Sequence, residues 1–303
     1  MREEYQQESV ETLCGLFGNS RQAYYQYKKE HAGQEIVENM ICSAVKEYRM
    51  EDPGIGAFKL YLILCDLYGR DQMMGRDSFY KLLRRKKLML KPSKGRRTTN
   101  SNHRYRKHKN LIKGFTPDAR NQLWVSDITY IPLKDTVCYL HLITDAYSHK
   151  IIGWCMAPGL HAVYTLSALN QAIKQVGSEP LSGLIHHSDR GVQYCCDLYV
   201  QTLTDHHIAI SMTEDYKPTD NAVAERVNGI IKQEWLYKMG VFEKLEEIEK
   251  KMCQIIDFYN TKRPHMSNNM LTPEKAHQGT GVLKKYWKNK VYTPKEAMNQ
   301  DYV

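Results

Sequence analysis

Three acidic residues stand in sequence contexts where a carboxylate can do chemistry. Asp127 lies inside an apolar stretch typical of a strand, Asp189 directly follows a second apolar stretch, and Glu225 lies in a segment with helical periodicity. A charge inside an apolar strand is costly unless something compensates it. Mg²⁺ prefers carboxylate oxygens, and two such ions can clamp the attacking and leaving oxygens of a phosphodiester. Because three carboxylates could hold two ions, these residues predict metal-dependent phosphodiester chemistry.

The segment around Glu225 predicts a helix with one polar and one apolar face. At about 100° per residue, Asn221 lies about 40° and Lys232 about 20° from Glu225 around the helix axis. Val227 and Ile230 lie on the other side, where they can pack on a sheet. A polar face with an acid, an amide and a cation suits a site that binds both metal and phosphate.

Each acid also has a structural interpretation when it is considered alone. An aspartate in a strand is commonly a hydrogen-bonded structural residue, and a glutamate on a helix is usually solvated. Asp145 lies at a predicted turn, where aspartate commonly accepts hydrogen bonds from nearby backbone.

One of His186 and His187 should face the core, since neighbours alternate along a strand, and the other could reach the site. Arg190 could meet phosphate or pair with a structural acid.

Two regions of different secondary structure would position these residues. Residues 1–90 have helical periodicity, and a turn near 71–76 followed by a basic helix over 77–87 is compatible with a helix-turn-helix module or with a packing role. From Leu123 the pattern predicts an antiparallel meander of three strands, at 123–132, 137–144 and 150–156. An α/β unit should follow, with helices near 161–176, 195–206, 220–238 and 243–261 and strands near 183–187 and 208–211.

The positive charge of the chain is concentrated in one block. Its net charge is +9, yet residues 84–113 contain 13 Lys or Arg and no Asp or Glu, so the rest of the chain is negative. Such a stripe is typical of a polyanion-binding protein, although a solvated linker could also be basic. The segment 91–120 has a linker composition and can lie along a phosphate backbone. The basic residues predicted to contact DNA are Arg84, Arg85, Lys86, Lys87, Arg96, Arg97, Arg104, Arg106 and Lys107.

The spacing of the cysteines and the lengths of the apolar runs indicate which kinds of site and segment we expect the chain to lack. The eight cysteines form no Cys-x-x-Cys pair and lie in apolar stretches, which predicts reduced core residues without a zinc site or a disulfide framework. No apolar run approaches the roughly 20 residues of a membrane-spanning helix, and the first residues lack the apolar stretch of a signal peptide. We therefore expect a cytoplasmic, nucleoid-associated protein with no membrane partner.

Several motifs occur in the order and spacing of a known family. Thirty-five residues lie between Asp189 and Glu225, and Lys232 follows seven positions later. The motifs are Trp124-x-x-Asp127-Ile-Thr-Tyr, His187-Ser-Asp189-Arg-Gly-x-Gln-Tyr194, Asp220-Asn-Ala-x-Ala-Glu225, Tyr259-Asn260-x-x-Arg263-Pro264-His265 and Thr272-Pro273. Over about residues 34–277 the chain resembles the transposases encoded in the second reading frame of bacterial insertion sequences, which share a superfamily with the retroviral integrases.

The resemblance implies a fold, an activity and roles for particular residues. The fold is α/β: a ribonuclease-H-like integrase core over 121–280, with a helical DNA-binding region over 1–90, a basic linker over 91–120 and a tail over 281–303. The activity is cleavage and strand transfer at the ends of a mobile element, with two Mg²⁺ or Mn²⁺ ions. Asp127, Asp189 and Glu225 carry over as metal ligands and catalytic residues, and Asn221 and Lys232 carry over as contacts to the terminal DNA.

The resemblance also implies partners. These are the terminal inverted repeats and the target DNA, further copies of the chain, and a helix-turn-helix protein from the first reading frame that frameshifting can join to the second. Since no sustained heptad pattern is present, we expect the second-frame part alone. A ribonuclease H or plain nuclease stays open as an alternative, as does a DNA-binding regulator or an inactive, domesticated transposase copy. Arg263 and His265 could contact DNA or pack the tail.

Overall fold

The computed structural model describes residues 8–90, 107–214 and 221–286, with only the backbone at 28–32. The chain divides between Pro92 and Ser93 into two compact units. Four of the predicted DNA contacts, Arg96, Arg97, Arg104 and Arg106, lie outside the described residues, as does Asp220. The domain limits inferred from the sequence stay a prediction.

The first unit consists of helices, as its periodicity predicts. They are α1 (Val10–Leu16), α2 (Arg21–Glu51), α3 (Ala57–Tyr68) and α4 (Arg76–Arg85). Ser9 and Ser20 start the first two helices, because each hydroxyl accepts a hydrogen bond from a backbone N–H three residues on. The core of the unit is formed by buried side chains from α2, α3 and α4, namely Ile41, Val45, Leu60, Leu64, Phe79 and Leu83.

The basic helix α4 ends two residues earlier than the sequence predicted. Lys87 has a φ of 56°, the left-handed conformation in which a helix commonly ends. The N–H of Leu88 donates to the carbonyl of Leu83, and that of Lys87 donates to Arg84, so the last carbonyls of the helix are satisfied. Lys86 and Lys87 therefore follow the helix and are not part of its surface.

The second unit is built on a five-stranded mixed sheet. Its strands are β1 (Leu123–Pro132), β2 (Val137–Asp145), β3 (Ile151–Ala157), β4 (Ile185–Ser188) and β5 (Ala209–Met212). Their order across the sheet is β3-β2-β1-β4-β5. The first three strands form the predicted antiparallel meander, and β4 and β5 join it in parallel. This is the α/β, ribonuclease-H-like arrangement that the resemblance implies.

Helices cover both faces of the sheet. They are α5 (Ala162–Val176), α6 (Val192–Cys195), α7 (Asp197–Asp205), α8 (Ala222–Ile231), α9 (Tyr237–Met239), α10 (Leu245–Thr261) and α11 (Pro273–His277). On one face Trp124, Ile143 and Ile152 pack against residues of α5 and α7. On the other, Leu123 and Val125 pack with Ala224 of α8.

One predicted helix is found nearly as expected, and another is interrupted. The helix expected over 195–206 is α7. The short helix α6 before it was not predicted, and it is separate from α7 because Cys196 adopts an extended conformation between them. The helix expected over 220–238 begins at Ala222 and contains a π-helical turn, Lys232–Leu236, between α8 and α9. Such turns occur frequently at functional sites.

Most of the cysteines lie in the interior of the protein. Five of the eight cysteines are buried, two are half-buried and Cys253 is exposed, so Cys253 departs from the prediction that all are core residues. Within the described ranges, no helix combines the length and apolar character that crossing a membrane requires.

Candidate active site

The sheet places two of the three candidate acids side by side. β1 and β4 are parallel neighbours, and Val125 is paired with His187. Asp127 lies two residues beyond Val125, and Asp189 lies two residues beyond His187. Because adjacent strands run about 4.8 Å apart, the register brings the two carboxylates to the same level at the carboxyl end of β4. Residues 62 positions apart in the sequence therefore share one site.

Asp127 is held by hydrogen bonds to both carboxylate oxygens. Its Oδ1 accepts from the backbone N–H of Ile128 at 2.9 Å, and its Oδ2 accepts from Nδ2 of Asn228 at 2.8 Å. Although the side chain keeps some contact with solvent, desolvation by the surrounding protein raises its pKa to about 7. The charges of Asp189 and Glu225 add to this rise, and the two hydrogen bonds oppose it. Negative charge therefore accumulates around Asp127.

A tight turn after β4 orients Asp189. Its Oδ1 accepts a hydrogen bond from the N–H of Gly191 at 2.9 Å. A Cβ at position 191 would lie 3.0 Å from Asp189 Oδ1 and 2.8 Å from Oε1 of Gln193. Glycine therefore allows the backbone to approach the carboxylate closely, a role that the Asp-Arg-Gly motif did not reveal by itself.

Glu225 lies in the first turn of α8 with its side chain exposed. It acts electrostatically on Asp127, more weakly than Asp189 does. Among residues 8–90, 107–214 and 221–286, no three His, Cys, Asp or Glu side chains already lie close enough to hold one metal ion. The structure thus brings Asp127 and Asp189 together and places Glu225 on the same side, but not in a closed ligand cluster.

The polar face of α8 is turned toward β1. Asn221 is buried and donates from Nδ2 to the carbonyl of Ser126 at 3.0 Å. Lys232 places Nζ 4.4 Å from the centroid of the Tyr130 ring, and burial lowers the pKa of its ammonium group while the charge of Asp127 raises it. Asn221 and Lys232 lie beside the acids, and their contact with DNA stays a prediction.

Sequence reasoning missed Asn228, which donates directly to Asp127. The signal was present, because Asn228 lies seven residues after Asn221 and three after Glu225, on the same helical face. Tyr194 was also missed as a neighbour of the site. It is buried, its hydroxyl accepts a hydrogen bond from Ser126, and burial, followed by the charges of Asp189 and Asp127, raises its pKa.

The two histidines before Asp189 both serve the core. His186 Nε2 lies 3.0 Å from the hydroxyl of Tyr199, and burial lowers the His186 pKa to about 3. His187 Nδ1 lies 2.8 Å from Oγ of Ser211. Both imidazoles are buried. Their alternation along β4 thus places them on two packed faces of the sheet, and neither reaches solvent at the site.

Asp145 has the structural role that its turn position predicts. It is fully buried and accepts hydrogen bonds from the N–H of Asn121 and from both the N–H and the hydroxyl of Ser148. Nδ1 of His277 lies 3.7 Å from its Oδ1. Burial alone would raise the pKa of Asp145, but His277 and the backbone donors hold it below its ordinary value.

The motif at 259–265 packs the end of the unit onto the sheet. Asn260 bonds through Oδ1 and Nδ2 to the N–H and carbonyl of Ile151, so its amide extends the pairing of β3. Arg263 is buried and binds both carboxylate oxygens of Glu234, at 2.5 and 2.8 Å. The ring of His265 stacks on that of His149. The sequence left two alternatives for Arg263 and His265, contact with DNA and packing of the tail. The contacts seen here are packing contacts.

The predicted DNA contacts from the basic block lie on the surface wherever the structure describes them. Arg84, Lys86, Lys87 and Lys107 are exposed, and Arg85 is exposed and forms an ion pair with Glu38. The end of the predicted linker lies along the edge of β5, where the carbonyl of Lys109 accepts from Met212 N–H and Leu111 N–H donates to Oγ of Ser211.

Two protein-family models and several relatives match this chain in sequence. The integrase core domain family matches residues 117–218, and a second family with the same description, integrase core domain, matches 206–273. The chain is 31% identical over 276 residues to the "Insertion element IS600 uncharacterized 31 kDa protein" of Shigella sonnei, covering 88% of this chain and 99% of that one. It is 34% identical to the "Transposase for insertion sequence element IS904" of Lactococcus lactis, covering 54% of this chain and 65% of the relative.

One solved structure that matches part of this chain is the catalytic core domain of HTLV-2 integrase in complex with magnesium. Its TM-score is 0.41 at 20% identity, and the match covers 52% of this chain and 97% of that one. Family membership rests on the sequence relatives, since the match to the IS600 protein extends over nearly the whole of both chains. The chain belongs to the family of bacterial insertion-sequence transposases with an integrase core domain.

Proposed function

We propose that this transposase cleaves and joins DNA at the ends of its element, with Asp127, Asp189 and Glu225 as the ligands of two divalent metal ions. The observation that carries the proposal is the parallel register of β1 and β4, which sets Asp127 beside Asp189 at the carboxyl end of β4. Sites in α/β sheets gather at such strand ends. Glu225 reaches the same region from α8.

The residues present fit Mg²⁺ or Mn²⁺. All three candidate ligands are carboxylates, the oxygen donors that these ions prefer. The raised pKa of Asp127 reflects desolvation first and the charges of Asp189 and Glu225 second, and a bound cation would offset both. Among the described residues, the buried Oδ1 atoms of Asn221 and Asn228 on the same helical face have no hydrogen-bond donor.

Each side chain has a distinct part in the proposed reaction. In cleavage, water attacks a phosphodiester, one P–O bond breaks, and the displaced DNA oxygen leaves as a hydroxyl. In transfer, a DNA hydroxyl attacks a second phosphodiester, and the oxygen that it displaces leaves as a new hydroxyl. When bound, the ions would stabilise the charge on the attacking and leaving oxygens. Asp127 and Asp189 are held in fixed orientations by their hydrogen bonds. Lys232 provides a positive charge next to Asp127, where it can meet a phosphate.

DNA is the proposed partner of the basic residues. Arg84, Lys86, Lys87 and Lys107 offer exposed cations for phosphate contacts, and we include Arg85, Arg96, Arg97, Arg104 and Arg106 because they share the same block of charge. Joining two element ends requires at least two copies of the catalytic unit to act together. A homo-oligomer, a first-frame helix-turn-helix partner and a place at the nucleoid are part of the same proposal.

The test is cleavage of a duplex that carries the inverted repeat bracketing the gene. Asp127→Asn, Asp189→Asn and Glu225→Gln should each lower cleavage by at least about 100-fold, since each removes charge that holds metal while preserving shape. Glu246→Gln, at an exposed acid of α10, is the matched control and should cleave normally. All variants should bind the duplex as the parent does. Cleavage that survives in the three variants would refute the assignment.

A further inference from the structure

One hydrogen bond ties a catalytic carboxylate to a side chain that the reaction itself does not require. Asn228 in α8 is 5% exposed and donates from Nδ2 to Oδ2 of Asp127 at 2.8 Å. The other oxygen of Asp127 accepts from the N–H of Ile128 at 2.9 Å. Because a donor engages each oxygen, both rotatable bonds of the Asp127 side chain are fixed.

Packing alone does not explain an asparagine at this position. Its neighbours along the buried side of α8, Val227 and Ile231, are apolar. Oδ1 of Asn228 is buried and, among the described residues, has no hydrogen-bond donor. Burying a polar atom without a partner costs stability. An apolar side chain would avoid that cost, so the amide is explained by its bond to Asp127.

The same helix has a second amide attachment to β1. Asn221 donates from Nδ2 to the carbonyl of Ser126, the residue before Asp127. Asn221 and Asn228 are two helical turns apart on one face, and Glu225 lies between them in sequence. Two attachments fix the rotation of α8 about its axis. They therefore also fix the direction from which Glu225 approaches Asp127.

We infer that Asn228 is a positioning residue, which holds Asp127 and α8 in the orientation that binds metal; the inference rests on the proposed function. It acts through Asp127 and does not itself contact DNA or the reacting atoms. Removing a side chain that orients a metal ligand in this way commonly weakens metal binding by about 10- to 100-fold.

The experiment measures the binding of Mn²⁺ alone to the full chain, by the electron paramagnetic resonance of free Mn²⁺. Asn228→Ala should bind Mn²⁺ about tenfold more weakly than the parent. Asn228→Gln keeps an amide donor on a longer side chain and should recover part of the loss. If the alanine variant does not fold, Asn228→Leu preserves the volume and gives the same comparison.

Asn260→Ala is the matched control, because Asn260 is a buried asparagine whose amide bonds only to the backbone of Ile151. It should lower the melting temperature yet leave Mn²⁺ affinity unchanged. If Asn228→Ala behaves in the same way as Asn260→Ala, the positioning role is refuted while the proposed function stands. If the parent chain binds no Mn²⁺, the proposed function fails, and the inference fails with it.

Discussion

At the scale of single residues, Asp127 is expected to lower the stability of the folded protein when no metal ion is bound. Asp127 is a carboxylate whose ionisation its surroundings oppose, because desolvation and then the charges of Asp189 and Glu225 raise its pKa to about 7. Two hydrogen bonds reduce this penalty without removing it. A residue in such a position destabilises the folded chain near neutral pH and is useful only when a cation joins it.

Asp127→Asn should therefore stabilise the metal-free protein in a pH-dependent way. A folded-state pKa near 7, against about 3.9 in the unfolded chain, means that folding takes up a proton and that stability is lost as pH rises between these values. The variant and the parent should melt at similar temperatures near pH 4. Above pH 7 the variant should melt higher, by on the order of 5 °C, because it has no charge to bury.

Thermal melts in a chelator, from pH 4 to pH 8, measure this difference. Asp135→Asn, at an exposed turn position, is the control and should melt with the parent throughout. Added Mg²⁺ should raise the melting temperature of the parent and leave that of Asp127→Asn unchanged. A variant that is less stable than the parent at pH 8 would show that the carboxylate is compensated by the protein alone.

At the scale of elements, close backbone contacts decide where the helices sit. A Cβ at Gly153 in β3 would lie 2.1 Å from the carbonyl oxygen of Ala168 in α5. Real Cβ atoms do not approach so closely, so α5 rests on β3 only because position 153 has no side chain. The contact lies within the core formed by Trp124, Ile143 and Ile152.

Gly153→Ala should lower the free energy of unfolding by about 1–3 kcal/mol, since α5 must shift to admit the methyl group. The control is Gly229→Ala in α8, where a Cβ would meet no atom within 4 Å. That change should raise stability by about 0.5–1 kcal/mol, because alanine favours a helix. Urea denaturation measures both. A neutral effect of Gly153→Ala would mean that α5 moves freely on the sheet.

The elements that could be predicted from the sequence are those with strong local patterns. The strand-like patterns of the sequence predicted the bounds of β1, β2 and β3 closely, and the helical spacing of apolar residues predicted α5 and α10. The π-helical turn Lys232–Leu236 has no such signal. It depends on contacts with distant residues, since Trp235 packs on Phe258 and Glu234 binds Arg263. The spacing of the three acids led to their prediction as metal ligands, which stays a prediction, but only the folded register shows that Asn228 meets Asp127.

At the scale of the whole molecule, the chain consists of two compact units, and each has its own core and its own surface features. The first unit has its own helical core and ends in exposed cations around Lys86. The second contains the acids and is closed by its C-terminal segment, where Asn260 extends the pairing of β3 and His277 approaches buried Asp145. Within the motif at 259–265, the amide of Asn260 thus attaches the end of this unit to the edge of the sheet.

The measurement that tests the central claim most directly is strand transfer. The DNA on both sides of the gene would be sequenced to find its inverted repeats, and a labelled duplex with one repeat would be incubated with the protein, Mg²⁺ and a supercoiled plasmid. We predict label joined covalently to the plasmid by the parent, and none by Asp127→Asn or with a chelator. Shortened duplex without joined product would indicate a nuclease, and bound but intact duplex would indicate a DNA-binding protein; either result would contradict the proposed function.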